Sequence, residues 1–210
     1  MARATSKAAS DAPRDAIALL KQDHRTVEQL FEEFEEADDD QLQAIAERVC
    51  QLLTVHAQIE EELFYPPAKE ALGDDEEDAD LVNEANVEHQ SAKDLIAKIE
   101  AMTPEDESFK ATVKVLSEYI KHHVKEEETE MFPKVKKTEL DLKEMGAQLN
   151  ERKMALMQEL GIEPEPEETA SPKRKKTSGR SGRSSGSKAR QARAGSRSKS
   201  ASKSGRSARH

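Results

Sequence analysis

Apolar residues recur at steps of three and four along four separate stretches of the chain, the spacing that lines one face of an α-helix. The first stretch is Ile17, Leu20, His24, Val27, Phe31, Phe34; the second is Leu42, Ile45, Val49, Leu52, His56, Ile59 with Glu60, then Leu63. The third is Val82, Ala85, His89, Ala92, Ile96, Ile99; the fourth is Phe109, Val113, Leu116, Ile120, His123, Glu127, Met131. Each stripe has the width of an inward seam in a helical bundle. The breaks are predicted at Asp38–Asp40, at Pro66-Pro67, in an acidic loop from Gly73 to Asp80, and at Pro133, which ends or kinks the fourth helix. Thr103-Pro104-Glu105 reads as an N-cap with proline at the first helical position. Leu142, Met145, Leu149, Leu156 and Leu160 predict a fifth, shorter helix ending at Gly161.

Composition changes this picture at the ends. Hydrophobic residues make up 35% of 210 and charged residues 36%, with five Phe, two Tyr and no Trp, which is too lean for a core built from the whole chain. Residues 171–210 hold fourteen Lys or Arg and no Asp or Glu. Removing those fourteen from the thirty-three basic residues leaves nineteen against forty-three acidic ones, so an acidic body of net −24 is joined to a tail of +14. The tail has almost no apolar surface to offset its ordering entropy. The expected organisation is all-α: a disordered N-terminus over 1–12, a four-helix bundle over 13–136, an accessory helix over 137–161, and a disordered linker and basic tail over 162–210.

The bundle region also repeats itself. Asp23-His24-Arg25 corresponds to Glu88-His89-Gln90, and HAQIEEELFYP (56–66) to HVKEEETEMFP (123–133). Both segments place Glu four and five residues after His, an aromatic at nine and Pro at ten. Two such hairpins packed together bring His24, His56, His89 and His123 to one level, with Glu60 and Glu127 one turn beyond two of them. Burying two carboxylates with no Lys or Arg on the seam costs several kcal/mol each by desolvation. A small, highly charged cation removes that cost. Imidazole and carboxylate without thiolate suit iron, manganese or zinc rather than calcium or magnesium. Six ligands exceed one tetrahedral zinc but serve two metals, with Glu60 and Glu127 bridging and two histidines on each. A solvent-derived bridge would leave open positions for O2, peroxide or nitric oxide. The ferritin-like di-iron bundle is excluded for the site, because its Glu-x-x-His spacing does not occur. His122 points about 100° away from its neighbour, and Glu61, Glu62, Glu126 and Glu128 read as solvated faces. Phe64, Tyr65 and Phe132 are expected to close one end of the bundle.

The pattern His24 … His56-x-x-x-Glu60 … His89 … His123-x-x-x-Glu127, with its trailing Tyr-Pro or Phe-Pro, resembles the hemerythrin-like cation-binding (HHE) family over about residues 14–136. The resemblance implies an up-down-up-down four-helix bundle and a non-haem pair of iron ions bridged by oxygen. Oxygen-carrying members use a fifth histidine four residues from the third-helix ligand. Ala85 and Lys93 stand there in this chain, which disfavours reversible oxygen carriage and favours sensing, scavenging or redox chemistry.

Three functions remain open at the level of sequence: a module that binds O2 or NO or senses iron or redox state; an enzyme, either a di-iron oxidase or peroxidase or one consuming nitric oxide; or a DNA-associated protein with a structural metal. The tail, with Lys173, Arg174, Lys175, Lys176, Arg180, Arg183, Lys188, Arg190 and Arg193 among its charges, suits sequence-independent contact with DNA or RNA phosphates. It carries no aromatics for base stacking. Cys50 is alone, so no intrachain disulfide forms. With no apolar run near 20 residues and no signal-like N-terminus, a cytoplasmic location without membrane contact is expected.

Overall fold

A computed structural model describes residues 15–73 and 76–163, apart from the side chains of 76–79. The expected N-terminal segment, the acidic linker from 164 and the basic tail with its nine named Lys and Arg residues lie outside the described residues. All regular elements among the described residues are helical: α1 (Ala16–Glu36), α2 (Leu42–Ile59), α3 (Tyr65–Leu72), α4 (Glu76–Glu100), α5 (Phe109–Glu126), α6 (Phe132–Val135) and α7 (Leu142–Glu159). Single π-helical turns, Glu60–Phe64 and Glu127–Met131, join α2 to α3 and α5 to α6. The bundle therefore has four rods, with short connections that make successive rods antiparallel, and α7 lies against α1, α2 and the first π turn.

The seams explain the packing. Every stripe residue of the four rods is buried except Leu63, which is partly so. At the start of α1, the Asp15 carboxylate accepts from the Ala18 N–H at 2.8 Å, satisfying a donor the helix leaves unpaired.

The prolines do not break the rods. In each π turn the hydrogen-bond register slips by one residue, so the N–H of Tyr65 reaches the Glu60 carbonyl and that of Phe132 reaches the Glu127 carbonyl. Pro66 and Pro133 then fall in the first turn of the resumed α-helix, where a missing N–H is tolerated. Both π turns begin at a repeated glutamate, which locates the irregularity at the site.

Other boundaries differ from expectation. Helix α4 begins at Glu76, inside the expected acidic loop. Thr103 does not cap a helix: its N–H donates to Asp106 Oδ2 at 2.8 Å in a turn, and α5 starts only at Phe109. At the end of α7, Leu160 just past the helix is exposed, while Met157 on it and Ile162 beyond it are buried instead. Gly161 adopts a positive φ of 66° just past the helix, a conformation that favours glycine.

Candidate metal centre

His24 enters from α1, His56 from α2, His89 from α4 and His123 from α5, all at the level of the two π turns. Their Nε2 atoms face each other in pairs: His24 and His56 at 3.1 Å, His89 and His123 at 3.1 Å. Glu60 and Glu127 lie between the pairs. Glu60 Oε2 is 3.2 Å from His56 Nε2 and 3.4 Å from His89 Nε2; Glu127 Oε2 is 3.2 Å from His24 Nε2 and 3.6 Å from His123 Nε2. Each carboxylate thus touches both pairs. The six residues singled out from sequence come together as two overlapping groups of potential ligands sharing Glu60: His24, His56, Glu60 and Glu127, and Glu60, His89 and His123.

The outer nitrogen of each imidazole faces another carboxylate. His24 Nδ1 donates to Glu128 Oε1 at 3.0 Å, His89 Nδ1 to Glu61 Oε1 at 3.0 Å, and His123 Nδ1 to Glu88 Oε2 at 2.7 Å. His56 Nδ1 is 3.6 Å from Asp23 Oδ2, too long for a hydrogen bond. An Nδ1 that donates outward leaves the Nε2 lone pair pointing inward. For those three rings the inner nitrogens then face carboxylate oxygens as acceptors facing acceptors. Both oxygens of Glu60 and Oε2 of Glu127 are buried without a hydrogen-bond partner. That arrangement is unfavourable for a neutral cavity and fits a divalent cation coordinated from several sides.

Burial and the neighbouring charges shift the ionisation of these groups in opposite directions. Burial, then the nearby Glu127 carboxylate, pushes Glu60 well above the usual carboxylate range. Burial pushes Glu127 up as well, but His123 and His24 outweigh it and hold it below its ordinary range. Burial lowers His24 and His123, yet the carboxylates around them draw both above the ordinary histidine value. His56, dominated by burial, drops to about 4.

Sequence reasoning missed the surrounding shell. Glu61 and Glu128, read as solvated faces, orient His89 and His24, and Lys93 and Lys21 hold them in turn at 2.6 Å. Glu62 pairs with Arg152 and Glu126 with His122. The repeat had aligned Asp23 with Glu88, each one residue before a histidine, but not which ring each would face. Tyr65 does more than close the bundle. Its buried O–H donates to Glu127 Oε1 at 2.9 Å and lies 3.2 Å from His89 Nε2. Burial and that carboxylate keep it a phenol. Phe132, its counterpart, stacks on His24 with ring centroids 5.9 Å apart, and Phe64 meets Phe132 edge-on. Cys50 is buried on α2, and its thiol is pushed up to about 12, so it is an inert core residue.

An all-helical bundle whose buried histidines and glutamates converge from four rods defines a cation-binding class. The chain belongs to the hemerythrin HHE cation binding domain family, whose model matches residues 15–135. A curated relative from Nostoc sp. (strain PCC 7120), named a DNA nickase, is 29% identical over 119 residues, covering 56% of this chain. This chain spans 32% of that relative's length. The crystal structure of a hemerythrin HHE cation binding domain-containing protein from Mycobacterium kansasii superposes with a TM-score of 0.59 at 23% identity, covering 69% of this chain and 88% of that one. Among the described residues no helix is long and apolar enough to cross a membrane.

Proposed function

We propose that the cluster holds two iron ions, one at His24 and His56 and one at His89 and His123, with Glu60 and Glu127 shared, and that the centre binds or senses O2 or nitric oxide. The observation that carries this reading is the pair of facing Nε2 contacts, each 3.1 Å, around two shared carboxylates in a pocket of acceptors. Bound there, redox-active metals would supply open coordination positions and electron transfer towards small oxygen or nitrogen species. The chain's own residues set what reaches them. Val27, Leu53, Ala57, Ala92 and Ile96 wall a cavity of about 20 Å3 over the histidines. That is room for one water-sized molecule, and its apolar wall favours a neutral diatomic over a bulky or charged substrate. Tyr65 keeps a proton donor beside the second pair.

The test is metal content with an aerobic visible spectrum. Two irons per chain, with absorption that responds to O2 or NO, is the expected result. A single zinc, or no metal after gentle purification, overturns the reading, and rapid peroxide turnover would move it to the enzyme class. Uptake should also release protons, because His24 and His123 carry raised proton affinity until a metal displaces it. Apparent affinity therefore falls as pH is lowered, which potentiometric titration checks.

The basic tail gives a second reading, attachment to nucleic acid, to which the relative named a DNA nickase lends support. Direct attack by the metals on DNA has no such support, since a cavity of about 20 Å3 does not admit a phosphodiester. Binding through Lys173 to Arg193 and their neighbours should weaken steeply with salt. A DNA mobility shift that survives deletion of 171–210 removes the tether from the account.

A further inference from the structure

Helix α7 lies beyond the residues that match the family model, yet it is joined closely to the site. Its Gly146 sits so near the start of α1 that a Cβ there would lie 2.6 Å from the Ala16 nitrogen and 2.7 Å from the Asp15 carbonyl carbon. Both are backbone atoms that cannot swing away. Leu149, fully buried, seats the next turn. From this fixed position two adjacent side chains reach the bundle. Arg152 grips Glu62, the second residue after Glu60, with Nε at 2.7 Å and Nη2 at 3.2 Å. Lys153 Nζ donates to Asp23 Oδ1.

Asp23 is the carboxylate that faces His56 from outside the site. At three of the four histidines a lysine holds the outer carboxylate: Lys21 at Glu128, Lys93 at Glu61, and Lys153 at Asp23. The first two come from bundle helices; the third comes from α7. At the fourth histidine the matching group is His122, 3.9 Å from Glu88. With one Asp23 oxygen held by Lys153, the position of the other, 3.6 Å from His56 Nδ1, is fixed from α7.

We propose that Lys153 is a positioning residue for the metal centre, acting through Asp23 on His56, so that the accessory helix is part of the first metal position. The proposal rests on the metal reading above. Outer residues that orient a ligand change metal affinity by roughly ten- to a hundredfold when removed.

Cobalt(II) titration of the metal-free full chain, read by visible absorption and by metal analysis, tests it. In Lys153→Met the first position should weaken about tenfold while the second keeps its affinity, splitting one uptake curve into two. Lys153→Arg should restore the unsplit curve, and Gly146→Leu, which pushes α7 off α1, should reproduce the split. Lys143→Met, an equal charge change on the exposed face of α7, should leave the curve unchanged. Wild-type affinity at both positions in Lys153→Met overturns the proposal and leaves the metal reading intact. Equal weakening of both positions, following a general loss of helix content, overturns it too. A wild-type chain that takes up no cobalt brings down both.

Discussion

The two halves of the repeat match in their inner ligands and differ in what surrounds them. In each half a histidine pair meets at 3.1 Å, and a π turn starts at the glutamate four residues after the second histidine. Around this frame the first half has Phe132 stacked on His24 and an outer carboxylate 3.6 Å from its second histidine. The second has the Tyr65 hydroxyl at His89 and an outer carboxylate 2.7 Å from His123. The inner frame is the same in both halves, as a cation-binding His/Glu site approached from both sides would need. The outer contacts differ between the halves, so two chemically alike histidine pairs need not behave alike.

The largest effect should come from removing the feature both halves share. Glu60→Gln takes away a carboxylate that touches both histidine pairs, so both metals should weaken together by about a hundredfold or more. The metal-free protein should become more stable, because the amide is buried uncharged at no proton cost, whereas Glu60 must take up a proton to be buried beside Glu127. A gain of about 1 kcal/mol corresponds to a rise of roughly 2–4 °C in melting temperature for a chain of this size. Loss at one position alone, seen by isothermal titration, would show that Glu60 is not shared.

A smaller difference should separate Glu88→Gln from Asp23→Asn. The 2.7 Å contact of Glu88 with His123 is a strong charge-assisted bond, whereas Asp23 lies at 3.6 Å from His56. Glu88→Gln should therefore approach the upper end of the ten- to hundredfold range for outer residues, and Asp23→Asn the lower end. Equal losses in cobalt affinity would mean that the difference in distance has no functional weight.

The inner frame was the legible part. Four seams at helical spacing and an eleven-residue repeat located all six converging side chains, because periodicity and spacing act within one helix. The outer shell was not legible. Glu61 faces His89 across 28 residues of sequence and Glu128 faces His24 across 104, and from spacing alone both fall beside the ligands as ordinary surface glutamates. Which carboxylate meets which ring depends on the π turns. Pro66 and Pro133 read as an end or a kink, but the rods continue through both, because each proline falls in the first turn of the helix that resumes after a π turn. Thr103-Pro104 had the local chemistry of a cap, and the Asp106 carboxylate claimed the Thr103 N–H for a turn first.

The smallest effects test the aromatic difference and explain an unpaired atom. Tyr65 and Phe132 occupy equivalent places, nine residues after His56 and His123. The Tyr65 hydroxyl satisfies Glu127 Oε1, whereas Glu60 Oε1 has no partner. The repeat supplies the reason: the residue equivalent to the donor is phenylalanine. Phe132→Tyr should deliver a hydroxyl to Glu60 Oε1, since the two rings stand in matching positions against matching carboxylates. The gain is about 1 kcal/mol in the metal-free protein, close to the net worth of one buried hydrogen bond. Tyr65→Phe should cost at least as much, because it leaves a charged oxygen buried and unpaired. Thermal unfolding of the two single variants and the double variant measures both effects. Both rings pack on Phe64, so the double variant should depart from the additive sum by more than about 0.5 kcal/mol, as side chains with a shared partner do. A destabilised Phe132→Tyr protein would instead mean that the packing of Phe132 between His24 and Phe64 leaves no path for the hydroxyl, and that the halves differ in shape as well as in chemistry.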